Sequence, residues 1–153
     1  MPAPSPQIEE IAADELFALC VEGLAAADGL LGRARESVRE MVSTDGAIDA
    51  GLIEAQQFAV HGLAWLATYN EALRQSLSWA EQLQGDGKFG AFEQLLLRMG
   101  FGGYLTEMAN GIAMSQIEVV RPADMALTAD DVVAFRTDAV ERLIACGNNQ
   151  GTR

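Results

Sequence analysis

Imidazole and thiol chemistry have little to work with in this chain, which contains one histidine, His61, and two cysteines, Cys20 and Cys146. A carboxylate-bridged two-metal centre takes glutamates from facing helices, with histidines three residues after two of them. His61 has Phe58 three residues before it and Ala64 three after, so neither spacing exists and a di-iron site is rejected. A Cys–His zinc site fails on ligand number. There is no G-x-S-x-G elbow and no P-loop, and a single imidazole leaves a hydrolytic triad little to build on. The sequence therefore assigns no catalytic, cofactor-binding or metal-ligating residue.

Two glycine-rich stretches ask for another explanation. Gly85-Asp86-Gly87-Lys88-Phe89-Gly90 matches G-x-G-x-x-G, whose glycines let backbone N–H groups approach a pyrophosphate. That fingerprint comes after a strand inside a βαβ unit, whereas an amphipathic helical pattern precedes it here, so it reads as a helix stop and turn. Arg98 to Glu107 holds Gly100, Gly102 and Gly103 inside a helical pattern. Each such glycine costs about 1 kcal/mol relative to Ala unless something comes close. The approach is either a neighbouring helix or a notch for a ligand or partner chain. Trp65, Tyr69 and Trp79 are spaced along another helical segment, where aromatic residues complete a core more often than a binding cage. His61 sits one helical turn before Trp65 and reads as a packing or hydrogen-bonded residue. The candidate ligand or partner contacts are thus His61, Trp65, Tyr69, Gly100, Gly103 and Tyr104.

The elements that must position these residues are helical. At 153 residues the chain matches one ordinary domain. Ala and Leu dominate and β-branched residues are sparse, which favours helix over sheet. Ten Lys and Arg against 22 Asp and Glu leave a formal charge of −12, which disfavours nucleic acid and anionic lipid as partners. The N-terminal Met1-Pro2-Ala3-Pro4-Ser5-Pro6 lacks a signal-peptide pattern, and no apolar run reaches spanning length, so a cytoplasmic protein with reduced, buried thiols is expected.

Apolar residues in steps of three and four predict four helices. The first runs from about Ile8 to Ser43, with Gly29 as the place for a kink or break. Thr44-Asp45-Gly46 turns the chain into a second from about Ala47 to Gln84. A third spans about Phe89 to Ile117, stopped before Pro122, with Phe92, Leu95, Leu96, Met99 and Leu105 among its apolar face. The fourth is capped by Thr128 and runs to Cys146. Short links make consecutive helices antiparallel, so the expected fold is all-α, an up-and-down four-helix bundle over residues 8–147 with disordered tails at 1–7 and 148–153. The short fourth helix suggests an incomplete wall and an apolar strip that wants a partner.

The stretches His61 to Gln75 and Met114 to Asp124 resemble helical accessory regions of the acyl-CoA dehydrogenase family, most of all an N-terminal extension borne by one of its members. The likeness covers about residues 47–125. It implies FAD-dependent α,β-dehydrogenation of an acyl-CoA, in which a glutamate removes a proton while hydride passes to flavin. The family's active unit also needs a β-rich middle domain, and its tract of the type Tyr-Glu-Gly-Thr around the catalytic glutamate is absent here. No catalytic or flavin residue is carried over, and FAD is implied for a partner or parent enzyme.

Two functions are compatible with these features. The leading one is a non-catalytic accessory or interaction domain whose task is docking or self-association, with a homodimer expected. The alternative is a small-molecule binding bundle whose glycine notch and aromatics line a pocket between helices. An enzyme in its own right requires acids with perturbed ionisation that sequence does not reveal.

Overall fold

A computed structural model describes residues 11–149 and 152. Helix α1, Ala13–Met41, opens with Asp14 and Glu15 and closes with Arg39, charges that complement the helix dipole. Its buried side, Leu16, Cys20, Leu24, Ala27, Leu31, Ala34 and Val38, repeats at helical spacing. It passes through Gly23, Gly29 and Gly32 without a break, so the helix is not divided near Gly29; burial along the whole helix outweighs the local cost of glycine.

The predicted turn after α1 is a small hairpin. Ser43–Thr44 (β1) pairs antiparallel with Ala47–Ile48 (β2). The loop residues Asp45 and Gly46 take φ of 52° and 80°, the left-handed pair that a two-residue hairpin needs. The Asp49 side chain then accepts from the Leu52 N–H at 3.0 Å and starts α2, Ala50–Ala55. A break at Gln56 separates α2 from α3, Gln57–Gly85, so the expected second helix is divided in two.

Helix α4, Ala91–Asn110, stops well short of Ile117 because Gly111 takes φ 143°, outside any helical backbone. The chain then forms a second hairpin, Ile112–Ala113 (β3) with Val119–Val120 (β4), in register Ile112↔Val120. A 3-10 turn, Pro122–Met125, leads to α5, Ala129–Phe135, capped by Thr128 as expected. The fourth predicted helix is interrupted at Arg136, where Thr137 takes over as cap and its hydroxyl accepts from the Val140 N–H at the start of α6, Asp138–Gly147.

Helices α1, α3, α4 and α6 form the bundle, each packed on its neighbours in chain order, with α6 closing back on α1. Their directions alternate. The Phe17 ring near the start of α1 lies 4.9 Å from Phe89, just past the end of α3. Arg142 in α6 pairs with Glu15 early in α1 at 3.4 Å, whereas Arg33 farther along pairs with Asp131 of α5 at 3.0 Å. Phe101, Leu105, Met108, Leu16, Leu30, Leu66, Leu73 and Leu143 lie at the centre of one core. Short as α6 is, α5 extends that wall over α1 and buries Phe135 completely. The exposed apolar strip falls elsewhere, on the outer side of α4: Phe92 is 66%, Leu96 42% and Met99 38% exposed.

Of the predicted tails, residues 1–7 lie outside the described residues. At the other end Asn148 donates to the Thr106 hydroxyl at 3.0 Å, and the buried Thr152 hydroxyl donates to the Gly147 carbonyl at 3.0 Å. No helix among the described residues is long and apolar enough to cross a membrane.

Candidate functional site

The candidate residues are assembled where α3 meets α4. His61, Trp65 and Tyr69 succeed one another at i, i+4, i+8, which places them in one row along α3. The Trp65 indole N–H donates to His61 Nε2 at 3.1 Å. Trp65 meets Tyr69 edge to face, with ring centroids 6.2 Å apart and planes at 90°. Tyr69 in turn reaches across to α4, its ring 4.6 Å from that of Tyr104.

The row ends on a charged acceptor. The Tyr69 hydroxyl donates to Glu107 Oε2 at 2.7 Å. Burial, and then this hydrogen bond, push the phenol's ionisation above its ordinary range, so Tyr69 stays a neutral donor near pH 7. Trp65, Tyr69 and Tyr104 are half-buried and packed against the core, while His61 stands exposed. Glu107, which joins the two helices here, was not singled out by sequence; its only signal is its position one turn after Gly103 and Tyr104.

The three glycines of α4 divide. Gly102 faces inward, and a Cβ there would lie 2.6 Å from the Gly147 carbonyl carbon. The backbones of α4 and α6 touch at this point, which is the helix-approach reading. Gly100 and Gly103 have nothing within 4 Å of a Cβ position. They border an open groove of about 370 Å³ lined also by Leu96, Met99, Tyr104 and Glu107. A smaller groove of about 250 Å³ is lined by His61, Ala64, Trp65 and Thr68. The six candidates therefore lie on α3 and α4, and five of them line two shallow surface grooves. Tyr69 lines neither; it fastens α3 to α4 between them.

The two cysteines, far apart in sequence, are both buried, on α1 and α6. Burial, with a smaller effect from Cys146, raises the ionisation of the Cys20 thiol, which suits a packed thiol and not a nucleophile. Among the described residues no group of three or more His, Cys, Asp or Glu is placed to hold a metal ion.

The fold and this surface define a mainly helical bundle domain with open grooves on its α3–α4 side. No protein-family model matches the sequence. Over 139 residues, 91% of this chain, it is 40% identical to (2S)-methylsuccinyl-CoA dehydrogenase of Cereibacter sphaeroides. The matched region is 25% of that enzyme, so the chain matches a partial region of an acyl-CoA dehydrogenase and spans about a quarter of its relative's length.

Proposed function

We propose that this chain is a helical accessory domain of the acyl-CoA dehydrogenase type, corresponding to an N-terminal extension, whose task is docking or self-association and not catalysis. The observation that carries this reading is the 40% identity over nearly the whole chain to only a quarter of a flavoenzyme. Dehydrogenation, its acyl-CoA substrate and its FAD then belong to a parent or partner chain in the cytoplasm.

The grooves on the α3–α4 side do not fit FAD. The residues lining the larger one include the Glu107 carboxylate and no cation, and those lining the smaller one include no Lys or Arg. A pyrophosphate placed there meets a negative charge in a chain that already carries −12. The glycine run at 85–90 is the link between two helices and provides no strand-to-helix cradle.

The test is the purified chain itself. A colourless protein that fails to oxidise acyl-CoA thioesters with an artificial electron acceptor is the expected result. A yellow, FAD-loaded protein that oxidises them overturns the reading. A small-molecule binding role draws support from Trp65, half-buried beside the smaller groove. Its expected signature is saturable quenching of Trp65 fluorescence that Trp65→Phe abolishes.

A further inference from the structure

Where the end of α4 meets the 3-10 turn and α5, the surface holds a further groove of about 340 Å³. Its lining is mostly apolar and includes Ala109 at the end of α4, Pro122 and Leu127 around the 3-10 turn, and Val132 on α5. The polar lining is Asn110, Thr128 and Arg121, with no Asp or Glu among them. The two grooves described above are lined by no Lys or Arg. Of the three, this is the one in which an anion meets an opposite charge.

Arg121 is fixed at its base and unengaged at its head. Its backbone N–H donates to Asp124 Oδ2 at 2.7 Å, and its stem lies beside Gly111, where a Cβ would come 3.4 Å from the arginine Cγ. The residue is exposed, and its guanidinium has no ion-pair or hydrogen-bond partner among the described residues. The carboxylates on the neighbouring elements are engaged elsewhere. Asp124 takes the Arg121 backbone N–H, Asp131 accepts from Thr128 and pairs with Arg33, and Glu141 pairs with Arg136 at 2.7 Å. Arg136 also donates to Asn110 Oδ1 at 3.0 Å, which holds a second guanidinium beside the groove. In a chain carrying −12, a cation left without a carboxylate is available to a ligand.

We infer that this groove binds a small aliphatic monocarboxylate, its carboxylate on the Arg121 guanidinium and its tail along Leu127, Val132 and Ala109. The planar guanidinium matches a carboxylate with two parallel hydrogen bonds. One unpaired cation suits one negative charge, whereas a multiply charged phosphate ester meets the repulsion of the whole chain with a single counter-charge. The apolar lining favours a hydrocarbon tail over a purely polar anion. A space of about 340 Å³ lies at the small end of ligand sites, which limits that tail to a short chain. This inference goes beyond the accessory-domain reading and does not depend on it.

An NMR titration of the full chain with hexanoate tests it, read at the backbone amides of Asn110, Thr128 and Val132 and at the Arg121 Nε–H. Saturable shifts in the millimolar range are expected for a ligand of about eight heavy atoms. Acetate keeps the charge without the tail and hexanol keeps the tail without the charge, and each is expected to bind about tenfold more weakly. Arg121→Gln is expected to weaken hexanoate by about tenfold, and Arg121→Lys by less, since it keeps the charge and loses the fork. Amide spectra unchanged away from the groove show that these variants remain folded. Val132→Asp, which sets a carboxylate in the lining, is expected to abolish binding. The inference is overturned by the absence of saturable shifts, by shifts centred on His61 and Trp65 instead, or by an affinity that Arg121→Gln leaves unchanged. Inorganic phosphate binding as tightly as hexanoate overturns it too, since the tail then contributes nothing.

Discussion

The two sides of α4 use glycine in opposite ways. On the inner side Gly102 lets α6 approach so closely that Gly147 touches the backbone at Arg98 and Gly102. On the outer side Gly100 and Gly103 leave the helix bare, next to Phe92, Leu96 and Met99, which are large and exposed. The inner glycine serves the packing of one chain. The outer pair faces open space, where each glycine costs the helix about 1 kcal/mol relative to Ala.

The largest contrast is expected between the two phenylalanines. Phe101 is fully buried, and Phe101→Ala is expected to destabilise the chain by about 3–5 kcal/mol in chemical denaturation. Phe92→Ala, at an exposed position, is expected to stay within about 0.5 kcal/mol of the wild type. Equal losses would remove the distinction between the sides.

The glycines should separate next. Gly147→Ala forces a Cβ into the backbone of α4 and is expected to cost about 2–3 kcal/mol, since neither helix can give way cheaply. Gly103→Ala is expected to do the opposite and stabilise the chain by about 0.5–1 kcal/mol, because it adds helix propensity in open space. Thermal melts of the two variants read the difference as shifts of opposite sign.

The smallest effect lies at the α5 cap. The Thr128 hydroxyl and backbone N–H both donate to Asp131 Oδ2, at 2.7 and 2.8 Å, and with Arg33 they hold the carboxyl below its ordinary range. A depressed carboxylate contributes stability that is fully present above its unfolded ionisation range and is lost as pH falls through the folded value. Acid titration of stability should therefore be shallower in Asp131→Asn than in the wild type below about pH 4. Identical acid slopes would show that this cap contributes nothing.

Much of this was legible in local residue choice. Thr128 announces its helix because a hydroxyl ahead of acidic residues can take up free N–H groups, and it does so. Asp45-Gly46 announces a turn because those residues accept positive φ. Thr137 did not announce a cap, since it stands within an otherwise continuous helical pattern, and the break at Arg136 depends on α5 turning to cover α1. The stop at Gly111 was hidden among the glycines of α4 just before it, although it alone among them takes a positive φ.

The sides of α4 were not legible for a different reason. Phe92, Leu95, Leu96, Leu97, Met99, Phe101 and Leu105 surround the helix almost evenly, so periodicity marks no inward face. Reading Phe92, Leu96 and Met99 as core residues was the natural result, and the structure corrects it: Leu97, Phe101, Leu105 and Met108 point inward. The six candidate contacts were chosen by residue type and spacing alone. Glu107, which accepts the Tyr69 hydroxyl between them, is an ordinary helical glutamate until α3 and α4 are placed side by side.

Residue order alone settled the features that depend on local backbone and composition: helix over sheet, the positions of the Asp45-Gly46 turn and the Thr128 cap, and the want of histidines for a bundle's metal chemistry. The packed bundle decided which glycine meets a neighbour and which faces open space, and which of α4's many apolar side chains are buried. Propensity acts within a few residues and is written in them. Burial depends on which helices lie alongside, and only their assembly sets that.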